Sequence, residues 1–264
     1  MELTKDTLFV GFTDPVMKKN FFSDPIEYNV ELGLFCSPDI LNGPWRRTVS
    51  NVKKVFQKYP VKRHLHGPFY GLQYDCKDPE ITFLAKKKIE RVLTIAGKLQ
   101  AEHIVVHSTF DPLNPDPRYR EMWLERSTDF WKSLIPIAQK NNSMVVIENI
   151  YDKTPENLIA LINAVDSPFF KGCLDVGHAN IFGTISLVDW LEDFKKELFH
   201  LHLHDNMGAT DDHLGLGEGN IDFNSFFSAL GNIRHLPACT LEVLDKEQLE
   251  KSIAFLKNMG VWRL

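Results

Sequence analysis

Residues 198–206 read Leu-Phe-His-Leu-His-Leu-His-Asp-Asn, so that histidine and leucine alternate along the chain. The side chains of a β-strand point alternately to its two faces, which places His200, His202 and His204 on one face. Leu201 and Leu203 share the other face, where they suit packing against helices. We therefore expect the histidines to face the interior of a closed sheet. The alternative is that they only hydrogen-bond to one another.

Short runs rich in strand-forming residues predict eight strands. They cover Thr7–Phe12, Tyr28–Phe35, Val61–His66, His103–His107, Met144–Glu148, Gly172–Asp175, Leu198–His204 and Ala238–Val243. Apolar residues at helical spacing and helix-capping signals predict helices between most of them. These are Pro79–Leu99, Arg118–Lys140, Thr154–Ala164, Ser186–Leu198, Asp222–Leu230 and Asp245–Met259. Strands that alternate with helices are typical of a parallel sheet.

The length of the chain favours closure of this sheet into a barrel. A (β/α)8 barrel needs about 250 residues, and the sequence has 264. The alternative is an open doubly wound sheet, which usually carries a glycine-rich phosphate loop after an early strand, and the sequence has no such loop. We therefore predict an α/β protein with a single (β/α)8 TIM-barrel domain over residues 1–264.

The composition argues against several classes of protein. With 44% hydrophobic residues the chain can form a large core, and its net charge of −5 does not favour binding along a nucleic-acid backbone. No apolar run approaches the roughly 20 residues of a membrane span, and no secretory signal precedes the first predicted strand. The four cysteines form no CxxC pair. We expect a reduced, cytoplasmic protein without membrane contact.

Nine residues of metal-ligand type stand at, or just beyond, the ends of these strands. They are His66, His107, Glu148, Asp175, His178, His202, Asp211, His213 and Glu242. In a (β/α)8 barrel the C-terminal ends of all the strands meet at one mouth, where the active site lies. The pattern therefore predicts a metalloenzyme.

The central candidates combine oxygen and nitrogen donors. Glu148 ends an apolar strand and Glu242 lies inside another, where a buried glutamate is costly unless it is paired or binds a metal. Either glutamate alone could form a salt bridge. Together with Asp175 and His202 they make a mixed set that suits Zn, Mn, Co or Fe better than Mg or Ca. We predict one to three divalent transition-metal ions.

Other residues are expected to shape the pocket. Gly177 is expected to let the chain turn sharply, so that Asp175 and His178 both face the mouth. The glycine-rich segment 215–222 lacks the order and the lysine of a phosphate-binding loop. It either lets backbone approach a ligand or forms a mobile turn. Tyr70 either walls the pocket or packs against the next loop.

These residues resemble the motifs of the xylose-isomerase-like barrel superfamily, which includes sugar isomerases, sugar epimerases and type-IV apurinic endonucleases. The resemblance covers strands 3 to 8. It rests on His66-Gly67-Pro68, His107, Glu148-Asn149, Asp175-Val176-Gly177-His178, His202-Leu203-His204-Asp205-Asn206, the Asp211–Ile221 loop and Glu242.

In the sugar epimerase branch, the resemblance implies that Glu148, Asp175, His202 and Glu242 hold one divalent metal. It also implies that Glu148 and Glu242 are catalytic and move a proton at the carbon beside a carbonyl, by way of an enediolate. Contacts to the substrate are expected from His66, His178, Asn149, His204 and Tyr70.

In the endonuclease branch, the resemblance implies three zinc ions held by all nine residues and hydrolysis of DNA at an abasic site. Two departures weigh against this branch. It carries Gly-Ala-His-X-Ser after strand 1, where this chain reads Gly11-Phe12-Thr13-Asp14. It also carries a basic loop after strand 2, where this chain reads Cys36-Ser37-Pro38-Asp39. Arg46 and Arg47 follow this segment, but two arginines offer few contacts for DNA.

The strand-7 motif and the loop after it resemble the sugar phosphate isomerase/epimerase branch more closely. We therefore predict a metal-dependent isomerase or epimerase that acts on a sugar or sugar phosphate. A zinc-dependent apurinic/apyrimidinic endonuclease is the alternative, and nucleic acid is a partner only in that case. A barrel that binds a sugar or metal without catalysis is a third interpretation, which the intact carboxylate set argues against. The sequence carries no prediction of oligomeric state.

Overall fold

The computed structural model describes residues 3–262, in which eight parallel strands close into a barrel in sequence order. The strands are β1 Leu8–Phe12, β2 Asn29–Leu32, β3 Arg63–His66, β4 His103–His107, β5 Met144–Glu148, β6 Phe170–Asp175, β7 Leu198–Leu203 and β8 Ala238–Leu241. The barrel closes where β1 pairs with β8, with Val10 opposite Leu241. The predicted (β/α)8 TIM barrel is confirmed.

Helices surround the barrel and connect its strands. They are α1 Pro15–Ser23, α2 Pro38–Asn42, α3 Trp45–Lys58, α4 Pro79–Leu99, α5 Tyr119–Asn141, α6 Glu156–Val165, α7 Val176–Phe182, α8 Leu187–Phe194, α9 Phe223–Leu230 and α10 Lys246–Asn258. Within residues 3–262, no helix combines the length and the apolar character needed to cross a membrane.

The elements differ from the sequence predictions at several places. The second predicted strand is too long, because β2 ends at Leu32 and a turn of 3-10 helix follows over Leu34–Cys36. Helix α6 begins at Glu156 and not at the predicted Thr154, since Pro155 takes the capping position and no side chain caps that helix. The predictions also omit α1, α2, α3 and α7, although the buried residues of α3 follow helical spacing. Those residues are Trp45, Val49, Val52 and Phe56.

The two faces of the sheet differ in chemistry. The outer face packs apolar side chains, among them Leu201 and Leu203, into a large core beneath the helices. Inside the barrel, Val105, Val146 and Cys173 form only a small apolar cluster. Most other buried side chains there are polar. They include Glu31, His64, His66, His103, Glu148, Asp175, His200, His202, Thr240 and Glu242. Barrels of this type usually fill the interior with Val, Ile and Leu, so the polar filling indicates a functional site.

Packing between β6 and the outer layer generates a test of this fold. A Cβ at Gly172 would overlap Cζ of Phe194, a fully buried ring at the end of α8. We expect Gly172→Ala to lower the free energy of unfolding by about 1–3 kcal/mol, because overpacking forces the ring or the strand to shift. Urea unfolding measures this loss.

Phe194→Leu serves as the matched partner in a double-mutant cycle, because the smaller side chain relieves the contact. The double variant should lose less stability than the sum of the two single variants. Purely additive losses would contradict the proposed contact.

Candidate metal centre

The predicted donors meet at the mouth of the barrel. His66, His107, Glu148 and Asp175 are the last residues of their strands, and Glu242 follows one residue after β8. Donor atoms of four residues from β5, β6, β7 and the end of β8 lie within 4.8 Å of one another. These are Glu148, Asp175, His202 and Glu242. All four are buried.

Three carboxylates converge on one nitrogen of His202. Its Nδ1 lies 2.9 Å from Oε2 of Glu242 and 3.2 Å from Oε1 of Glu148. Oδ2 of Asp175 lies 3.6 Å from the same nitrogen. The nitrogen carries at most one hydrogen, so it satisfies only one of these acceptors. Within residues 3–262, no lysine or arginine lies within 4.0 Å of these carboxylates. Such a set of donors has the chemistry of a divalent-metal site.

Glu31 on β2 fixes the orientation of His202 by contacting the ring nitrogen that does not face the three carboxylates. Its Oε1 lies 2.9 Å from Nε2 of His202. A hydrogen bond donated from Nε2 leaves the lone pair of Nδ1 free for a metal, which is the usual arrangement around metal-bound histidines. The sequence analysis missed Glu31, although it carries the signal that revealed Glu242: a glutamate inside an apolar strand.

A second group of donors adjoins the first. Nε2 of His66 lies 3.2 Å from Nε2 of His107, and each of these nitrogens lies 3.5 Å from Oε2 of Glu148. That oxygen is buried and has no hydrogen-bond partner among the described residues. Glu148 therefore presents Oε1 to the group around His202 and Oε2 to the two histidines. Glu148 would thus offer one oxygen to each of two adjoining groups of donors.

A third group lies on the other side, at the loop after β7. Oδ2 of Asp211 is 3.3 Å from Nε2 of His178 and 3.1 Å from Nε2 of His213. The structure thus brings all nine predicted donors together, in three adjoining groups.

The loop that carries Asp211 and His213 is anchored by a buried carboxylate, that of Asp205. The N–H groups of Gly217 and Gly219 donate to Oδ2 of Asp205 at 3.0 and 2.9 Å. The glycines of segment 215–222 therefore contact a carboxylate of the chain itself. Approach of this backbone to a ligand remains a prediction.

Gly177 has a different role from the predicted one. It lies in α7 and is not among the positive-φ glycines, so the turn does not depend on the conformational freedom predicted for Gly177. A Cβ at this position would overlap Cε1 of His204, and the residue must therefore lack a side chain. The turn itself comes from Asp175, whose Oδ1 accepts a hydrogen bond from the backbone N–H of His178 at 2.7 Å.

The predicted substrate-binding residues lie at different depths. Asn149 is fully buried, and its amide bonds to the backbone N–H and C=O of Asp175 at 2.8 and 3.0 Å. His204 is also fully buried and lies 3.1 Å from Oδ1 of Asp175. Both residues contact Asp175 and hold it in position. Tyr70 is 57% exposed at the mouth, beside Phe69. Substrate contact remains a prediction for these residues, as it does for His66 and His178.

A family model described as xylose isomerase-like TIM barrel matches residues 29–259. The chain belongs to the xylose isomerase-like TIM barrel family. An uncharacterized protein of Methanocaldococcus jannaschii is 26% identical over 226 residues, which cover 80% of this chain and 74% of that protein.

Solved structures share the fold of this xylose isomerase-like barrel. A D-tagatose 3-epimerase-like protein has a TM-score of 0.82 at 23% identity, over 96% of this chain and 97% of that chain. A protein from Thermus thermophilus, soaked with ZnCl2, has a TM-score of 0.77 at 23% identity, over 98% of this chain and 100% of that chain. Sugar epimerases recur among the structural neighbours.

The electrostatics of this xylose isomerase-like site keep the carboxylates ionised. Burial alone would raise the pKa of Glu242, but the adjacent His202 more than offsets this and the pKa falls to about 2. Burial would likewise raise the pKa of Glu148, but the charge of His202 and other neighbours outweighs this, and the pKa lies well below its usual range. Burial would lower the pKa of His202, but the charges of Glu31 and its other neighbours raise it well above the usual value. The carboxylates are therefore in the form that binds metal at pH 7.

Asp152, in the loop after β5, is a further candidate that the sequence did not reveal. It is fully buried, and its Oδ2 accepts one hydrogen bond from the N–H of Ile150, at 3.3 Å. Burial raises the pKa of Asp152 to about 7, and the hydrogen bonds only partly oppose this. A carboxyl group with such a pKa can hold or release a proton at neutral pH. An aspartate in a polar loop gives no signal of this in the sequence.

The third group of donors, which contains His178, Asp211 and His213, predicts that metal uptake depends on pH. Burial would lower the pKa of His213, but its hydrogen bond with Asp211 raises it to about 9. The imidazole is therefore protonated at pH 7, and a metal ion must displace that proton. We expect zinc affinity at this group to rise from about pH 6 to about pH 9 and uptake to release a proton. Calorimetric titration in two buffers of different ionisation enthalpy counts the protons.

The matched variant is His213→Gln, which lacks the titrating ring. It should release about one proton fewer on zinc uptake than the wild type. An identical proton count in the two proteins would refute the assignment of His213.

Proposed function

We propose that this protein is a divalent-metal-dependent isomerase or epimerase that acts on a sugar or sugar phosphate. The observation that carries the proposal is the placement of Glu148 and Glu242 at the same nitrogen of His202, at 3.2 and 2.9 Å. These glutamates come from β5 and from the end of β8, which are three strands apart around the barrel. Two ionised carboxylates therefore approach the position beside Nδ1 of His202 from different sides of the barrel.

The residues at this position fit a bound transition-metal ion. Three buried carboxylates share one imidazole hydrogen, and Oε2 of Glu148 has no partner among residues 3–262. In the proposal Glu148, Asp175, His202 and Glu242 hold the ion. When bound, it supplies Lewis-acid stabilisation of the negative charge that develops on the oxygen of a substrate carbonyl. The relative soaked with ZnCl2 supports zinc as one candidate, beside Mn, Co and Fe.

The two glutamates have complementary roles in this mechanism. One carboxylate removes the proton from the carbon beside the carbonyl, and the other glutamate takes up a proton from solvent and delivers it to the substrate. Return to the opposite face of the same carbon gives an epimer, and return to the next carbon gives an isomer. His66 and His178, at the mouth, are proposed to hold substrate hydroxyls. The family and the D-tagatose 3-epimerase-like neighbour support this reaction class.

Proton exchange tests the proposed reaction. In heavy water, the metal-loaded protein should place deuterium on the carbon beside the carbonyl of its true sugar substrate. We expect Glu242→Gln to lower the exchange rate by about 100-fold or more, because a general base contributes about that much. Mass spectrometry or NMR of a panel of ketoses, aldoses and their phosphates measures the exchange.

Two controls accompany this experiment. Glu247→Gln changes a glutamate on the outer helix α10 and should leave the rate unchanged. Metal content must be measured on the same samples, because Glu242 is a proposed ligand as well as a base. If no sugar in the panel gains deuterium with the fully metallated wild type, the proposal fails.

Phosphodiester hydrolysis is the second candidate, and the donor groups beyond the first favour it. His107, Asp211 and His213 have no assigned task in a one-metal epimerase, yet they complete two further groups of donors. Sites with two or three metal ions are typical of phosphoester hydrolysis. A net charge of −5 and the missing basic loop after strand 2 weigh against DNA as the substrate.

Metal content and DNA binding separate the two candidates. We expect little affinity for an abasic duplex near physiological salt, because binding through phosphates depends on basic contacts. We also expect His107→Gln to keep most of the proton exchange, since His107 belongs to the second group. Elemental analysis, duplex binding across a salt series and an incision assay measure these quantities. Incision of abasic DNA that is lost in His107→Gln would instead establish the hydrolytic function.

A further inference from the structure

A second cluster of metal-binding side chains lies deeper in the barrel, toward the amino ends of the strands. Glu31 on β2, His64 on β3, His103 on β4 and His200 on β7 each offer a donor atom, and these atoms lie within 4.8 Å of one another. All four side chains are fully buried. His64 and His200 each precede a donor of the mouth by two residues along a strand. The cluster thus lies one layer below the metal centre.

Most of the histidine nitrogens in this cluster have no partner. Both ring nitrogens of His64, both of His103, and Nδ1 of His200 are buried without a hydrogen bond among the described residues. Glu102, at the rim of the barrel, places an oxygen 3.5 Å from Nε2 of His64 but makes no hydrogen bond with it. Buried polar atoms in folded proteins almost always have a partner. Unpaired nitrogens on all three rings therefore indicate a ligand that the rings share, through one nitrogen of each ring.

Packing alone does not explain the choice of histidine at these positions. The ring of Phe9 stacks on that of His64 at 3.8 Å between centroids, and His64 contacts the ring of His103 at 3.5 Å. His103 in turn lies 4.6 Å from the ring of His200. A phenylalanine such as Phe9 fills this kind of space without unpaired nitrogens. Three histidines around one glutamate are instead the requirement of a metal site.

We propose that Glu31, His64, His103 and His200 form an inner site for a divalent transition-metal ion, with zinc as the best match. Three imidazoles and one carboxylate make a closed tetrahedral set, which is the form of structural zinc sites. Zinc bonds of about 2.0–2.1 Å place such donors about 3.3–3.5 Å apart. Oε2 of Glu31 lies 2.9 Å from Nε2 of His200, and one donor atom from each of the four residues lies within 4.8 Å of the others.

The chemical form of the donors agrees with this assignment. Burial, with smaller contributions from the neighbouring histidines, holds the pKa of His103 well below its usual value. Its ring is therefore neutral at pH 7, which is the form that binds a metal. Thr240 donates a hydrogen bond from Oγ1 to Oε2 of Glu31 at 2.8 Å, which orients the carboxylate.

Glu31 connects the inner site to the mouth. Its Oε1 lies 2.9 Å from Nε2 of His202, whose other nitrogen faces the three carboxylates. An ion in the inner site would thus fix the carboxylate that orients His202. Because the site is fully enclosed, its ion should exchange slowly. The inner site does not depend on which reaction the mouth catalyses.

Zinc content and anomalous diffraction test the inner site. The wild-type protein, expressed with zinc, is treated with excess EDTA and then analysed both for bound zinc and by diffraction at the zinc absorption edge. We expect one zinc ion per chain to resist EDTA, and an anomalous peak enclosed by Glu31, His64, His103 and His200. His103→Phe should hold one zinc fewer than the wild type before EDTA treatment and should keep the zinc at the mouth. His235→Phe, at an exposed position, is the matched control and should lose none.

Two results would overturn the inner site. One is a zinc-saturated wild-type crystal whose anomalous map has peaks at the mouth but none inside the barrel. The other is an equal zinc content in His103→Phe and the wild type. If His103→Phe does not fold, the anomalous map of the wild type decides alone.

Discussion

Negative charge buried inside the barrel is the constraint on which the rest of the site depends. Four carboxylates surround His202, and burial of an ionised carboxylate without a partner is strongly unfavourable. In residues 3–262, the basic side chains within 4.0 Å of these carboxylates are all histidines. In the absence of metal, one imidazolium is shared among several anions, and a divalent ion offers a better balance of charge. The same arrangement explains why the carboxylates stay ionised despite their burial.

The scaffold supports this charge through contacts with backbone as well as with side chains. Asp175 illustrates the point: it ends β6, caps α7 through the N–H of His178, and is fixed by the amide of Asn149. His204 approaches it from β7 and leaves no room for a side chain at Gly177. One aspartate thus joins a strand, a helix and a neighbouring strand. A change at any of these contacts moves a proposed metal ligand, even though the contacting residues need not touch metal or substrate.

The sequence predicted the barrel and the nine donors because both are local signals. Alternation within β7 and charged residues at the ends of apolar runs are visible without knowledge of any long-range contact. Glu31 gives a weak signal, because it is a single charged residue in a predicted strand, Tyr28–Phe35, that continues past the end of β2. The role of Gly177 was misjudged because the contact with His204 depends on how β6 and β7 pair. The inner cluster is equally invisible in the sequence, since its members are separated by 33 or more residues.

The loop around Asp205 has a consequence for the entropy of ion binding at the third group of the proposed metal centre. Asp205 pairs with Leu214 through two backbone hydrogen bonds of 2.9 Å, and its carboxylate accepts the N–H groups of the glycine segment. His213 stacks on His204 with the rings 4.2 Å apart. The donors of this group are therefore preorganised by the protein, and the loss of chain entropy occurs during folding rather than on ion capture. Selectivity at this position then resides in the donor atoms, because the loop does not have to remodel itself around each new ion.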